Sequence, residues 1–298
     1  MNEPLTELRR LARHAGNART ETGIPRVAMV QGKIPEHALA AVYDPMINLI
    51  LQGGKTMTVG DRTLHYDPAT YFVMTVDLPA VGAVHPAQDG SPYLAVSLTL
   101  DANIIAGLLQ DLGPSMPPAT ASAGIAASFS VAGVTPALMD AWVRMLGLME
   151  HPGDIAALAP AYEREILYRV LQGPHGNLLR DLATPDSTLG RLRTAIQWIR
   201  ENYTRPLRIA ALAERVAMSE SAFHRHFKAA TALSPLQYQK QLRLMQARQL
   251  LIVQRMSVTT AALDVGYESA TQFSREYART FGMAPSQDAA RIIKSLRR

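Results

Sequence analysis

The stretch LAERVAMSESAFHRHFK (residues 212–228) decides how this chain is read, and ALDVGYESATQFSREYARTFGMAP (residues 262–285) echoes it. Setting 209–238 beside 259–288 pairs Ser219 with Ser269, Phe223 with Phe273, Arg225 with Arg275, Phe227 with Tyr277 and Pro235 with Pro285, a spacing of 50. Two copies are too few for a solenoid, so each is a paired supersecondary unit. In the first, Ile209–Val216 forms a short helix with Leu212 and Val216 on one face, and Ala217-Met218 makes a turn. Ser219 then caps a second helix, its hydroxyl taking a free first-turn N–H, while Glu220 suits the positive end of the dipole. Along that helix Ala222, Phe223, Phe227 and Ala230 make a stripe that must be buried; Ser221, His224, Arg225 and Lys228 face out. In the second copy Val258–Val265 ends at Gly266, Tyr267-Glu268 turns, and Ser269 caps a helix with Thr271, Ser274 and Arg275 outward and Phe273 and Tyr277 inward. A short helix, a turn and a capped helix showing basic groups is a helix-turn-helix layout, whose second helix enters the DNA major groove. Between the copies, Pro235–Val253 is predicted as a helix about 28 Å long at about 1.5 Å per residue, against about 34 Å for a turn of B-DNA. A rigid strut of that length sets two recognition helices into successive grooves.

Working outward, 298 residues suggest two domains, and 48% hydrophobic with 18% charged residues is a globular composition. The absence of cysteine excludes disulfides, thiol nucleophiles and cysteine-held metals. The net charge of +5 conceals a split: residues 1–185 carry 12 bases and 17 acids, residues 186–298 carry 18 bases and 8 acids. A polyanion partner is therefore expected for the C-terminal part alone. Glu3 and Glu7, with no apolar run beside them, argue against a signal peptide, and four prolines in Leu112–Met139 argue against a spanning helix. No membrane association and a cytoplasmic location are the expectation.

Residues 1–23 read as an N-terminal helix or arm. From Ile24 to Leu100, the short apolar runs Met46–Gln52, Lys55–Val59, Arg62–Tyr66 and Thr70–Val76 alternate with Gly-Gly, Gly-Asp and Asp-Pro turns, as in a small antiparallel barrel. Helices are predicted at Ala102–Leu112, Pro136–Met149 and Asp154–Gln172, and the breaker-rich 173–187 as a linker. The expected class is α+β: a barrel with appended helices over 24–172, then an all-α domain over 188–298 with helix-turn-helix units at 209–230 and 258–280.

Residues 187–288 resemble the paired helix-turn-helix domain of AraC/XylS-family transcription regulators. The resemblance rests on the two stretches above, on SPLQYQKQLRLMQARQLL between them and on IQWIRENY upstream. LILQGGKTMTVGDRTLHYDPA and YEREILYRVLQGPHG make residues 24–172 similar to a branch of that family with a cupin-like N-terminal domain. Ala232 replaces a usual Gly, Ala284 a usual Ser or Thr, and Asp288 a common aromatic. The resemblance implies transcriptional regulation, usually activation, with RNA polymerase as a partner and an N-terminal domain that binds a small effector, dimerises, or both.

The DNA-reading candidates are Ser221, His224, Arg225, Lys228, Thr271, Ser274 and Arg275. Arg225 and Arg275 can grip guanine O6 and N7 in a bidentate manner, or else hold phosphates. His226, on the inner stripe, is read as packed against the strut, and Arg243 and Arg248 as structural ion pairs in preference to phosphate contacts. Arg26, His65, Tyr71, His85 and Tyr93 are candidates for the polar groups of an effector pocket inside the barrel. His65 and His85 lack the spacing and carboxylate support of a metal site, so no metal or other cofactor is expected. Gly54-Lys55-Thr56 lacks the earlier glycine of a phosphate loop, Leu49 standing there instead. With no acid/base or nucleophile constellation, no catalysis is expected. Trp142, Met145, Leu146 and Met149 suggest a homodimer through residues 136–172, or packing on the barrel. The alternatives are a cupin-type metalloenzyme carrying a DNA-binding module and an effector-independent dimeric DNA binder.

Overall fold

A computed structural model describes residues 2–16, 19–32, 39–68, 70–113 and 127–296. Helix α1 (Asn2–Ala12) precedes strands β1 (Thr20–Glu21), β2 (Val27–Gly32), β3 (Leu39–Tyr43), β4 (Met46–Gln52) and β5 (Gly54–Val59). Strands β6 (Arg62–Tyr66), β7 (Thr70–Met74), β8 (Leu78–His85) and β9 (Tyr93–Thr99) follow, and β10 (Phe129–Gly133) comes after helix α2 (Ala102–Leu112). The strands form two antiparallel sheets, β1-β2-β9-β4-β7-β10 and β3-β8-β5-β6, which face each other. The expected barrel is thus two sheets around one interior, not a closed ring.

Strand alternation assigns the faces. In β4, Ile47, Leu49 and Leu51 point to a helical layer made by α1, α2, α3 (Pro136–Gly147), α4 (Ile155–Leu171) and α5 (Gly176–Ala183), while Ile50 points between the sheets. The large sheet is buried on both faces, which is why its central strands read as nearly continuous apolar runs, interrupted by Asn48 and Ser97. The small sheet is half-wet: Met57, Val59 and Tyr66 point inward, whereas Thr58, Thr63 and His65 line its outer side.

One expectation is corrected here, the linker, and two open alternatives are resolved. The N-terminal segment is no free arm, because Leu8 and Ala12 are fully buried in the helical layer and Arg9 Nε donates to the Leu51 carbonyl at 2.7 Å. The 173–187 linker contains α5, whose Leu179 and Leu182 are buried in that layer. Of the suggested dimer face, Trp142, Met145 and Leu146 are buried and Met149 is half-buried against the same layer, so the stripe packs within the chain, the other reading the sequence offered.

The C-terminal third is helical throughout: α6 (Thr188–Glu201), α7 (Ile209–Arg215), α8 (Glu220–Thr231), α9 (Pro235–Val253), α10 (Val258–Asp264), α11 (Ala270–Phe281) and α12 (Pro285–Leu296). Helix α9 has the predicted bounds, held by a capping box in which Ser234 and Gln237 bond each other's backbone N–H. Two cores result. The side chains between the sheets run on without a break into α6, α7 and α8, joining Phe72, Val76 and Phe129 to Phe223 and Phe227. Around α10 and α11 a separate core gathers Ala261, Val265, Tyr267, Phe273 and Tyr277.

Candidate nucleic-acid interface

Both helix-turn-helix units are built by the same local chemistry. Ser219 Oγ accepts from the Ala222 N–H and Ser269 Oγ from the Gln272 N–H, both at 3.3 Å, so each capped helix starts where the sequence predicts. In the turns, Met218 N–H donates to Ala213 O and Tyr267 N–H to Ala262 O. Ala213 therefore corresponds to Ala262, an offset of 49, whereas the second helices correspond at 50. The second turn holds one extra residue, Glu268, which alignment at a fixed spacing conceals. Ala217 (φ 51°) and Gly266 (φ 89°) take the left-handed conformation at the equivalent step. A Cβ on Gly266 would stand 2.3 Å from the Thr204 carbonyl oxygen, so glycine is required there on two counts. The C-terminal caps match as well: Ala232 (φ 58°) ends α8 as Gly282 (φ 78°) ends α11.

Inside each unit the aromatic stripe is packed as predicted. Phe223 lies 5.5 Å from Phe227, and Phe227 meets Tyr238 of the strut edge-on at 5.5 Å; Phe273, Tyr277 and Phe281 form the corresponding row. This burial leaves the opposite faces to solvent. Ser221, His224, Arg225 and Lys228 are exposed on α8, and Thr271 and Arg275 on α11, with Ser274 half-buried. Arg225 Nη2 donates to His226 Nε2 at 3.2 Å. His226 is half-buried; burial, then Arg225 and Arg191, hold its imidazole below the usual range, so it accepts from Arg225 as a neutral ring.

Both strut arginines are structural, but only Arg248 forms the expected ion pair; Arg243 bonds backbone carbonyls instead. Arg243 donates to the carbonyls of Tyr203 (2.7 Å), Gly266 (2.9 Å) and Arg205 (3.1 Å), stapling the second turn to the loop before α7. Arg248 pairs with Asp288 at 2.8 and 3.2 Å, and Asp288, fully buried, also accepts from Tyr277 Oη and Arg291. The buried guanidinium opposite it accounts for an acid at this fully buried position.

One side of this domain faces the small sheet. The β5–β6 tip places Asp61 and Arg62 around a hollow with Ser221, His224, Arg225 and Lys228. A neighbouring groove is lined by Lys228, Lys240, Arg279 and Thr280 together with Asp61. The last turns of both capped helices therefore border a common groove beside the strut. Arg279, exposed one turn beyond Arg275, was missed by sequence reading, although its i+4 spacing from Arg275 was legible. At the tip itself a Cβ on Gly60 would stand 2.3 Å from the Ala232 carbonyl oxygen, so the hairpin abuts the cap of α8.

The five proposed effector contacts do not converge. Arg26 is paired with Glu163 of α4, bonding it through Nε at 2.9 Å. His65 and His85 both bond Thr56 Oγ1, at 3.0 and 2.8 Å, on the outer side of the small sheet. Tyr71 points to the helical layer, edge-on to His175 at 4.8 Å. Of the five, Tyr93 enters the space between the sheets. Among the described residues no three histidines, aspartates or glutamates gather as metal ligands, and no helix is long and apolar enough to cross a membrane.

Comparison with known proteins follows this geometry. Residues 23–178, more than half of the chain, match the family model of the AraC-type transcriptional regulator N-terminus, and residues 212–291 match a helix-turn-helix domain. The chain is similar to the HTH-type transcriptional activator RhaS of Salmonella paratyphi A (strain ATCC 9150 / SARB42), 31% identical over 144 residues, 48% of this chain and 51% of that protein. Against RhaS of Escherichia fergusonii it is 34% identical over 131 residues, 44% of this chain and 46% of the relative. The chain spans about half the length of these curated relatives. In fold it resembles crystal structures of ToxT from Vibrio cholerae. An apo variant from strain SCE256 superposes with a TM-score of 0.58 at 12% identity, covering 91% of this chain and 98% of that one. ToxT from strain O395 gives 0.55 at 10% identity, covering 88% and 96%.

Proposed function

Because the chain belongs to the AraC-type transcriptional regulators, we propose that it reads a specific duplex sequence through α8 and α11 and answers to a small molecule held between its two sheets. The observation that carries this reading is the repeated placement of exposed Arg225 and Arg275 on serine-capped helices whose opposite faces are fully packed. Arg225 and Arg275 read base edges; Ser221, His224, Thr271 and Ser274 flank them, and Lys228 holds the phosphate backbone, with Arg279 added to that set. Catalysis has no part in it. Activation is the output supported by the likeness to RhaS, a transcriptional activator by name, and RNA polymerase is the partner that such an output requires. A homodimer, if formed, uses a surface other than the Trp142 stripe.

Footprinting with a set of single variants tests the reading. Arg225→Ala and Arg275→Ala each relax a different base position by about 1–3 kcal/mol, while Lys228→Ala weakens all duplexes alike and lowers the salt slope by about one. Identical footprints and affinities for the two arginine variants and the parent overturn it.

A further inference from the structure

Strand phase turns one basic side chain of the small sheet toward the helix-turn-helix domain. In the β5–β6 hairpin Val59 pairs with Arg62, so Gly60 and Asp61 alone make the reversal. Along β6, Thr63 and His65 bond partners on the outer side, which puts Arg62, Leu64 and Tyr66 in the inward phase. Tyr66 is buried between the sheets and Leu64 packs against the same cluster, but Arg62, at the end of the strand, is exposed. Its guanidinium lies 4.9 Å from the ring centre of Phe129, and among the described residues it joins no hydrogen bond or ion pair. A ring face leaves the N–H donors of the guanidinium edge free.

The position of this arginine relative to α8 is fixed from both sides. Phe129 is fully buried and follows Ser128, whose hydroxyl bonds the Ala230 carbonyl of α8. At the tip itself, Gly60 abuts the Ala232 carbonyl at the cap of that helix. Arg62, Arg225 and Lys228 border one hollow there, three cations against the single carboxylate of Asp61. Arg225 and Lys228 are exposed as Arg62 is, so the basic face of α8 continues onto the hairpin. A helix seated in a major groove about 12 Å wide has a phosphate backbone along each flank. Arginine offers a phosphate two parallel N–H donors.

We infer that Arg62 is a DNA contact supplied by the N-terminal domain: with α8 in the major groove, its guanidinium takes a backbone phosphate beside the one held by Lys228. This rests on the reading of α8 as a DNA-reading helix and adds to its interface a residue from outside the helical third. A hairpin that only covers Phe129 would need the stem of the arginine and not its charge. One that only obstructs α8 would lower affinity, and its removal would raise it.

The test is fluorescence anisotropy of the full-length protein with a mixed-sequence duplex of about 30 base pairs across a salt series, since a phosphate contact carries no base preference. Arg62→Met keeps an apolar stem over Phe129 and removes the charge. Its affinity at low salt falls about 3- to 10-fold, and the slope of log affinity against log salt flattens by about one. Arg62→Lys, which keeps a charge without the fork, returns the slope to that of the parent. Thermal midpoints of both variants stay within about 2 °C of the parent, because the side chain is exposed. In the parent protein, phenylglyoxal modification of Arg62, followed by mass spectrometry, slows when the duplex is added and not when inorganic phosphate is added at the same phosphate concentration. An Arg62→Met protein with the affinity and slope of the parent, or with tighter binding, overturns the assignment. So does modification that the duplex leaves unchanged, or that free phosphate slows equally. Lys228→Ala in the same assay separates the two readings. A parent that binds no duplex sinks the regulator reading, whereas a loss for Lys228→Ala with none for Arg62→Met sinks this inference alone.

Discussion

Ser128, at the entry to β10, donates twice to the carbonyl of Ala230 in the last turn of α8, through its backbone N–H at 3.0 Å and its hydroxyl at 2.9 Å. Its own carbonyl receives the N–H and hydroxyl of Thr75 at 2.9 and 3.1 Å. Ser128 and Thr75 are fully buried, so the edge of the large sheet is bonded to α8 through two residues. Removing the Ser128 hydroxyl is expected to cost about 1 kcal/mol. In Ser128→Ala, amide hydrogen exchange should accelerate along α8 and stay at the parent rate along α11. Equal acceleration in both helices would mean that the contact does not act locally.

Asp61 brings a carboxylate to the rim of the hollow that Arg225 and Lys228 share. A duplex seated on α8 meets that charge. Asp61→Asn should raise affinity for any duplex by about 2- to 5-fold at low salt, the gain fading as the Debye length shortens toward 3 Å near 1 M. Gel shifts across a salt series check this, and an unchanged affinity at low salt contradicts it.

The Arg248–Asp288 pair is buried on both sides, at 8% and 0% side-chain exposure. Asp288→Ala removes the carboxylate opposite a buried guanidinium and should cost about 3–5 kcal/mol, whereas replacing both residues by apolar ones of similar volume restores most of the loss. Because Asp288 also accepts from Tyr277, the damage falls on the second helix-turn-helix. The footprint should shrink to the half bound by α8, and a full-length footprint for Asp288→Ala would refute the assignment.

His175, 1% exposed beneath Tyr71, is pushed down to about 4 by burial. The unfolded chain, with its imidazole near 6.5, binds the extra proton more readily between about pH 4 and 6.5. Stability from this group is therefore complete above pH 6.5 and is lost as pH falls through that window, by up to about 3 kcal/mol. Denaturant titrations of the parent and His175→Phe at pH 5 and 7 should show a smaller drop in the variant, which keeps a ring against Tyr71.

Much of this architecture could be read in advance wherever a period was strong. The Phe223/Phe227 and Phe273/Tyr277 stripes, the serine caps and the bounds of Pro235–Val253 follow from local rules that tertiary packing did not override. The interior was harder. His65, His85 and Arg26 were chosen by residue type, but strand phase puts the histidines outside and Glu163, 137 positions away, claims the arginine. The bond from Ser128 to Ala230 spans 102 positions, and no local pattern announces it.

The unequal ownership of the two cores bears on how operators for this protein evolve. The unit around α10 and α11 packs on residues of the last third alone, while the unit around α8 shares its interior with the strands. On the proposed function, base changes under α11 are expected to adjust how tightly a promoter is held, and changes under α8 to alter how strongly that grip depends on what the strands enclose, so promoter strength and responsiveness would drift along separate axes.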